Sequence, residues 1–415
     1  MSATFAPLRH RPFRWLVAGR SCATLANSMA PVALAFAVLD LTGSLTDLGL
    51  VVGARSLANV AALLFGGVLA DRVRRGVILQ GTALASALSQ GLVALAVLLH
   101  FASLPLLIGL SLVNGVLAAL SMPASSALLP QTVPAEELRP ANAVNRIGLN
   151  IGTIAGSSLG GLLAAGVGPG WALAVDAVVM LAAAGGYLGI RLPSAAPAGP
   201  AAEKTRPLAE LREGWREFTA RRWVWVVVLQ FMVVNAAESG SITVLGPGIA
   251  DATFGRGVWG LVLATQMAGA VVAGLVVARL ANRRALLVGV AAVFATVLPV
   301  LALAARADAV PVAAAMFVTG FAVEFFCVAW DLSLQQNIPQ DRLARVYSFD
   351  ALGSFLALPL GEMAAGPVAA RIGTGRALTA AAALIVLATA AALAVRAVRT
   401  LTVRDDQPAP ELATA

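Results

Sequence analysis

Long apolar runs alternate with short polar knuckles along the whole chain. A bilayer core takes about 20 apolar residues as a helix, and runs of that size predict twelve spans. They cover Phe13–Leu39, Leu48–Ala70, Val77–Leu99, Leu104–Leu129, Ala141–Ala165, Trp171–Ile190, Trp223–Ile249, Val258–Ala278, Ala285–Ala304, Val310–Ile338, Val346–Ala369 and Ala377–Val395. Pro123, Pro130, Pro339 and Pro359 interrupt or end the fourth, tenth and eleventh. Lipid offers no partner to backbone amides, so such runs span as helices. The expected fold class is an all-α integral membrane protein.

One substantial hydrophilic break, Arg191–Arg222, divides the spans six and six. The predicted organisation is an amino-terminal six-helix bundle over residues 1–190, a linker over 191–222, a second bundle over 223–396 and a tail over 397–415. The linker begins Pro/Ala-rich at Pro193–Pro200, a composition that favours extended chain. Its second part, Pro207 to Arg222, carries charges at helical spacing with Leu211, Trp215 and Phe218. That pattern suits a short helix on the membrane surface or a solvated linker helix. The halves also repeat: Gly115 falls on Gly320, an offset of 320 − 115 = 205. The same offset carries Pro134 onto Pro339, Leu138 onto Leu343, Gly148 onto Gly353, Gly156 onto Gly361 and Gly161 onto Gly366. A sustained register of this kind marks internal duplication.

Basic residues fix the expected orientation. Arg9, Arg11, Arg14, Arg72–Arg75, Arg139, Arg146, Arg279, Arg283, Arg284, Arg342, Arg345, Arg396 and the linker arginines all fall on one side. Only Arg256, Arg306, Arg371 and Arg376 fall on the other. The positive-inside rule makes the richer side cytoplasmic, which predicts both termini in the cytoplasm.

Composition narrows the function classes. Charged residues make up 12% and hydrophobic residues 59%, against about 25% charged in soluble domains. The net charge of +8 therefore reflects basic loops, and no basic-aromatic run offers a nucleic-acid surface. Cys22 and Cys327 lack C-x-x-C spacing, and His10 and His100 have no partner at ligand spacing. We expect no catalytic residues, no metal and no cofactor. The lone Lys204 follows Ala-Ala-Glu without the glycine cradle of a phosphate loop, which argues against a nucleotide-driven pump. No cleavage site follows the first run, so it is expected to stay as a span.

The knuckle Gly67-Val68-Leu69-Ala70-Asp71-Arg72-Val73-Arg74-Arg75 resembles the signature loop G-x-L-x-D-R-x-G-R-[RK] of the major facilitator superfamily. Gly67, Leu69, Asp71, Arg72 and Arg75 match; Arg74 stands at the second glycine and Gly76 at the final basic position. The knuckle repeats weakly at Arg279–Arg284. The fifth span, Gly152 to Gly161, is similar to the antiporter signature G-x-x-x-G-P-x-x-G-G, with Ser157 in the proline position. Gly152, Gly156 and Gly160 share one helix face next to Gly161, and plain helix packing would use the same stripe. Phe13–Leu16, Leu41–Ser44, Leu129–Ala143 and Leu334–Val346 extend the resemblance toward proton-coupled drug exporters such as macrolide and siderophore efflux proteins. Ala26-Asn27 replaces the Gly-Asp pair common in that branch.

The resemblance implies two six-helix halves that rock about a central site, with Asp71 and Arg75 latching the cytoplasmic ends. It implies efflux of a hydrophobic or amphipathic compound by proton antiport from a bacterial inner membrane. No HExxH, Ser/His pair or Cys/His cluster occurs at span depth, so no enzyme activity is expected, and the chain is expected to be a monomer. Proton-coupled nutrient uptake, or a non-transporting sensor on the same fold, are the alternatives. Ionisable groups within spans are costly and mark function or pairing. Glu324, Glu238 and Glu362 are the proton-coupling candidates, since a buried carboxyl can carry a proton between two faces. The first, fourth, seventh and tenth spans line the cavity in the family, which points Glu238 and Glu324 inward. A structural ion pair with Arg20 or Arg55 is the competing reading. Arg20, Thr24, Asn27 and Pro31 form a polar stripe on the first span, and Arg55 and Asn59 do so on the second. Asp331 and Gln335 share a face with Glu324. Asp331 and Asp350 suit the gate, and Asp176 is expected to be peripheral and structural. Phe231, Phe317, Phe321, Phe325, Phe326 and Trp330 lie at cavity depth and read mostly as lipid-facing or core.

Overall fold

The computed structural model describes residues 3–72, 75–190, 215–277 and 284–402. Among the described residues, eleven helices are long and apolar enough to cross a membrane. We label the spans α1 (Arg11–Thr42), α2 (Leu45–Arg72), α3 (Arg75–Leu98), α4 (Leu104–Leu128), α5 (Leu138–Gly166) and α6 (Pro169–Leu188). The second six are α7 (Arg222–Ala252), α8 (Arg256–Val277), α9 (Ala285–Ala304), α10 (Ala309–Asn337), α11 (Gln340–Phe355 and Leu358–Ile372) and α12 (Thr374–Ala394). Eleven of these are the candidate spans, and α2, with 28 residues, completes the set. Each predicted run coincides with one of them, and no strand occurs among the described residues. Twelve alternating spans bring both chain termini to one end, the terminal end. The opposite end is called the far end.

Irregularities fall where local chemistry demands them. Pro359 lacks an amide donor and opens the second piece of α11, so the helix breaks at Leu356–Ala357, because proline suits the first turn of a helix and not its interior. A π-helical stretch, Gly240–Leu245, widens α7 just before Pro247. Leu88, Leu275, Val310, Leu360 and Leu387 lie largely exposed on the outer surface, as lipid contact requires.

The two halves pack alike. In the first, α1 lies against α5 and α6, α2 against α4, and α3 against α6; in the second, α8 lies against α10, and α7 against α11 and α12. The glycine repeat explains this likeness. A Cβ on Gly115 would strike the Arg55 carbonyl of α2, and one on Gly320 would strike the Gln266 carbonyl of α8. Likewise Gly156 abuts Leu25 of α1 and Gly361 abuts Ala236 of α7. For α1 against α7 and α2 against α8 the offset is 236 − 25 = 266 − 55 = 211. Bare glycine surfaces let neighbouring backbones close to contact distance, so the duplicated glycines set duplicated crossings.

Residues 191–214 lie outside the described residues, and with them the Pro/Ala-rich stretch. Residues 215–220 form a short helix that docks on the second half through one face. Phe218 is buried, and Trp215 and Phe218 pack on Phe349 at the start of α11, with centroids 5.7 and 5.9 Å away. Glu217 accepts from Arg221 at 2.6 Å and from Arg342. These partners pull its carboxyl below the ordinary range, the Arg221 hydrogen bond most of all.

Candidate functional site between the halves

α1 ends and α8 begins at the far end, which sets Asp40 and Arg256 side by side across the halves. Arg256 donates to both oxygens of Asp40 (2.8 and 2.6 Å) and to both of Asp251 at the end of α7 (2.7 and 2.9 Å). Its guanidinium sits 5.1 Å from the centroid of Phe36. A planar fork of five donors can serve two carboxylates at once. Sequence reading noted Arg256 only as one of few basic residues on its side. No periodicity links it to Asp40, 216 residues away.

Two helix crossings lie beside this clamp, and both use the repeated glycines. Gly161 of α5 meets Gly260 and Arg256 of α8, while Gly366 of α11 meets Leu45 and Thr46 of α2. Gly49 of α2 adjoins the Glu362 backbone, as Gly260 adjoins that of Ser157. Here the halves are pressed together at the far end. The remaining glycines of the antiporter-like stripe, Gly152, Gly156 and Gly160, pack α5 on Ser21, Leu25 and Met29 of α1. Only Gly161 among the four faces the other half.

The three glutamates have different settings. Glu324 accepts from Arg146 of α5 at 2.7 Å, so its partner is neither Arg20 nor Arg55. The reason is packing order: α5 lies on α8 and α8 on α10, which brings Arg146, eight residues into α5, to face α10. This ion pair joins the halves. Glu362 is 3% exposed; its Oε1 accepts from Ser239 at 2.6 Å, and its Oε2 has no hydrogen-bond partner among the described residues. Arg55 lies within electrostatic range of it. Glu238 is half-buried, and Gln266 of the same half donates to it at 3.4 Å. The repeat supplies a counterpart, because Arg55 donates to Asn27 at 3.4 Å and 238 − 27 = 266 − 55 = 211.

Of the polar cavity candidates, Arg20 and Asn27, together with Thr24 of the same stripe, line one cavity of ≈ 270 Å³ within the first half. Arg55, Asn59, Asp331 and Gln335 do not line it. Asn59 instead donates to the Gly115 carbonyl at 3.2 Å, tying α2 to α4. Asp331 accepts from Tyr347 at 2.9 Å, with Gln335 beside the same hydroxyl, and Asp350 accepts from the Trp330 indole at 2.9 Å. Those partners all belong to the second half. Asp176 is fully enclosed rather than peripheral, and neither carboxylate oxygen meets a hydrogen-bond partner among the described residues. Phe231, Phe326 and Trp330 stack on one another, with centroids 4.2 and 6.0 Å apart, and so fill core. A second cavity of ≈ 340 Å³ lies at the far end among Leu45, Asp251, Arg306 and Leu378.

The signature-loop candidates divide. Gly67, Asp71 and Arg72 belong to the last turns of α2 and Arg75 opens α3; the side chains of the first three, and residues 73–74, lie outside the described residues. The repeat knuckle at 279–283 does as well.

Comparison with known proteins agrees with this geometry. The Major Facilitator Superfamily model matches residues 16–362. Enterobactin exporter EntS of Escherichia coli O1:K1 / APEC is 30% identical over 247 residues, which are 58% of this chain and 57% of that protein. EntS of Escherichia coli O157:H7 (strain EC4115 / EHEC) matches to the same extent, so the chain spans under two thirds of the length of these relatives. The crystal structure of nucleoside transporter NupG superposes with a TM-score of 0.72 at 14% identity, covering 92% of this chain and 98% of that one. A bacterial homologue of the human lysosomal transporter Spinster, inward-facing and unoccupied, gives 0.71 at 17% identity, with 95% and 98% covered. D-xylose-proton symporter gives 0.65 at 14%, with 91% and 96% covered. At such identities the solved structures speak to the fold alone. The duplicated crossings and the match over residues 16–362 lead to one assignment: this chain belongs to the Major Facilitator Superfamily and is a multi-pass membrane protein.

Proposed function

We propose that the chain is a proton-coupled antiporter that exports an amphipathic small molecule by alternating access, its terminal end facing the cytoplasm of a bacterial inner membrane. The similarity to enterobactin exporters supports the direction, and the basic terminal-end loops support the orientation. The observation that carries the coupling is the position of Glu362. It sits where α11 crosses α2, buried between the halves, with Oε1 accepting from Ser239, the Ser56 hydroxyl and the Arg55 guanidinium nearby, and Oε2 without a hydrogen-bond partner among the described residues. Burying an incompletely paired carboxylate costs several kcal/mol, and a proton removes most of that cost.

A cycle follows from this. With the far end open, α2 and α11 part and external water reaches Glu362. Once protonated, the group is neutral and tolerates burial, so the halves close at the far end. Loss of the proton toward the cytoplasm, with cargo bound, makes burial costly again and favours reopening outward. Arg146–Glu324 is a second tie between the halves, and Glu238 faces Gln266 within one half. On this reading Glu362 carries the proton, Glu324 trims the balance between states, and Glu238 serves cargo or packing.

The test uses everted membrane vesicles, in which export becomes inward accumulation. Respiration-driven uptake of a compound from a panel of macrolides, tetracyclines, phenicols and iron chelators should occur with the wild type and be lost in Glu362→Gln. The fold is shared with a proton symporter, so direction rests on this result. Movement of the compound out of acidified vesicles would favour uptake in the cell, and wild-type flux indifferent to a pH gradient would remove the coupling.

A further inference from the structure

The cavity in the first half has one charged lining residue, Arg20, and no acidic one. Arg20 is half-buried in α1 and forms no hydrogen bond or ion pair with the described residues; its electrostatic neighbour is the Tyr187 phenol. Thr24, Ser86 and Ser125 around it also leave their hydroxyls without a hydrogen-bond partner among the described residues, and Tyr187 does the same. An unpaired guanidinium inside a membrane domain is costly unless something anionic meets it. Leu79, Leu117 and Met180 supply apolar surface to the same cavity.

The internal repeat sharpens the point. Arg20 corresponds to Phe231 at the α1–α7 offset, 20 + 211 = 231, and Ser121 and Ser125 correspond to Phe326 and Trp330 at the α4–α10 offset, 121 + 205 = 326 and 125 + 205 = 330. Phe231, Phe326 and Trp330 form one aromatic stack in the second half, with centroids 4.2 and 6.0 Å apart. The same crevice is therefore plugged by aromatic rings in one half, and open, cationic and hydroxyl-lined in the other. Packing alone would not call for that difference, since the plug shows how the fold fills the space.

We propose that this crevice binds the acidic group of an amphipathic organic anion, with Arg20 as the fork for a carboxylate and Tyr187, Ser86 and Ser125 as further donors. Arginine pairs carboxylates through two parallel hydrogen bonds, and a volume of ≈ 270 Å³ accommodates an aromatic acid of one or two rings. The proposal rests on the export reading proposed above and extends it by naming a cargo class. It does not require proton coupling.

The experiment measures equilibrium binding of 1-naphthoate and of neutral 1-naphthamide to the full-length protein in zwitterionic nanodiscs, against empty discs, with no gradient. The wild type should bind naphthoate at least tenfold more tightly than the amide. Arg20→Gln should abolish that preference, Arg20→Lys should keep part of it, and Ser125→Trp, which copies the plug, should weaken both ligands. Equal wild-type affinities, absent naphthoate binding or a preference that survives Arg20→Gln would each overturn the proposal. If Arg20→Gln does not fold, the wild-type ratio and Ser125→Trp decide it. Lost vesicle accumulation with the naphthoate preference intact would sink proton exchange alone; the reverse pattern would sink this site alone.

Discussion

Gly161→Ala gives a direct handle on the contact that closes the far end. A Cβ at this position would lie 2.7 Å from the Arg256 carbonyl and 2.8 Å from the Gly260 Cα. Ordinary carbon contacts need about 3.5–4.0 Å, so α5 and α8 must separate by most of an ångström. The obstructing atoms are backbone and cannot rotate away. Overpacking of this kind typically costs about 1–3 kcal/mol, and the cost falls only on the state in which these helices touch. The ratio of far-closed to far-open molecules should therefore drop by roughly 5- to 150-fold, at 1.4 kcal/mol per factor of ten. Gly366→Ala should act alike, because its Cβ would lie 2.6 Å from the Leu45 carbonyl. Gly156→Ala is the control: it clashes with Leu25 inside one half and should lower stability without shifting the balance. The assay is pulsed electron-spin distance measurement between labels at the exposed positions Phe101 and Asp308 in the far-end loops, with Cys22 and Cys327 replaced. Both glycine variants at the crossings should add a longer distance absent from Gly156→Ala. Unchanged distances, or the same shift in all three, would refute the reasoning.

Three further outcomes are expected. Arg256→Gln removes a fork shared by Asp40 and Asp251, and since the group is partly exposed it should enrich the far-open distance by about tenfold or less. Arg146→Gln severs an ion pair whose arginine side chain is 68% exposed, so its conformational effect should stay below about fivefold. The same assay shows both; a large Arg146 effect would mean the pair is a principal latch. Glu217 has its carboxyl held below its ordinary value of 4.5 by Arg221 and Arg342, so its stabilisation is present above that value and fades as pH falls through the lowered one. Thermal melts should separate Glu217→Gln from wild type at pH 7 and bring them together toward pH 3; a gap that widens in acid would contradict the sign.

The spans were legible because lipid imposes a length and excludes alternatives, and Pro359 announced its own helix break. The repeat was legible in glycines because a close crossing tolerates nothing larger. The clamp was not, since Asp40, Asp251 and Arg256 each look like ordinary loop-edge charges until the helices meet. Arg146 was read from its distance to a helix end, whereas its role depends on which helix faces it. The polar stripe Arg20–Thr24–Asn27 was visible as periodicity, but its open surroundings emerged only when the aromatic counterpart at Phe231 was seen to be stacked. Glu362 lies on a span outside the set that lines the cavity in the family; its place at an inter-half crossing is a property of two helices from different halves.

The central claim is that a proton on Glu362 permits the far end to close. Its most direct test is the Phe101–Asp308 distance distribution measured from pH 5 to pH 9 in wild type and in Glu362→Gln. The account predicts that acid enriches the short, far-closed distance in the wild type, and that Glu362→Gln holds that distance at every pH. Acid-induced opening of the far end, or a pH response that persists undiminished in Glu362→Gln, would contradict it.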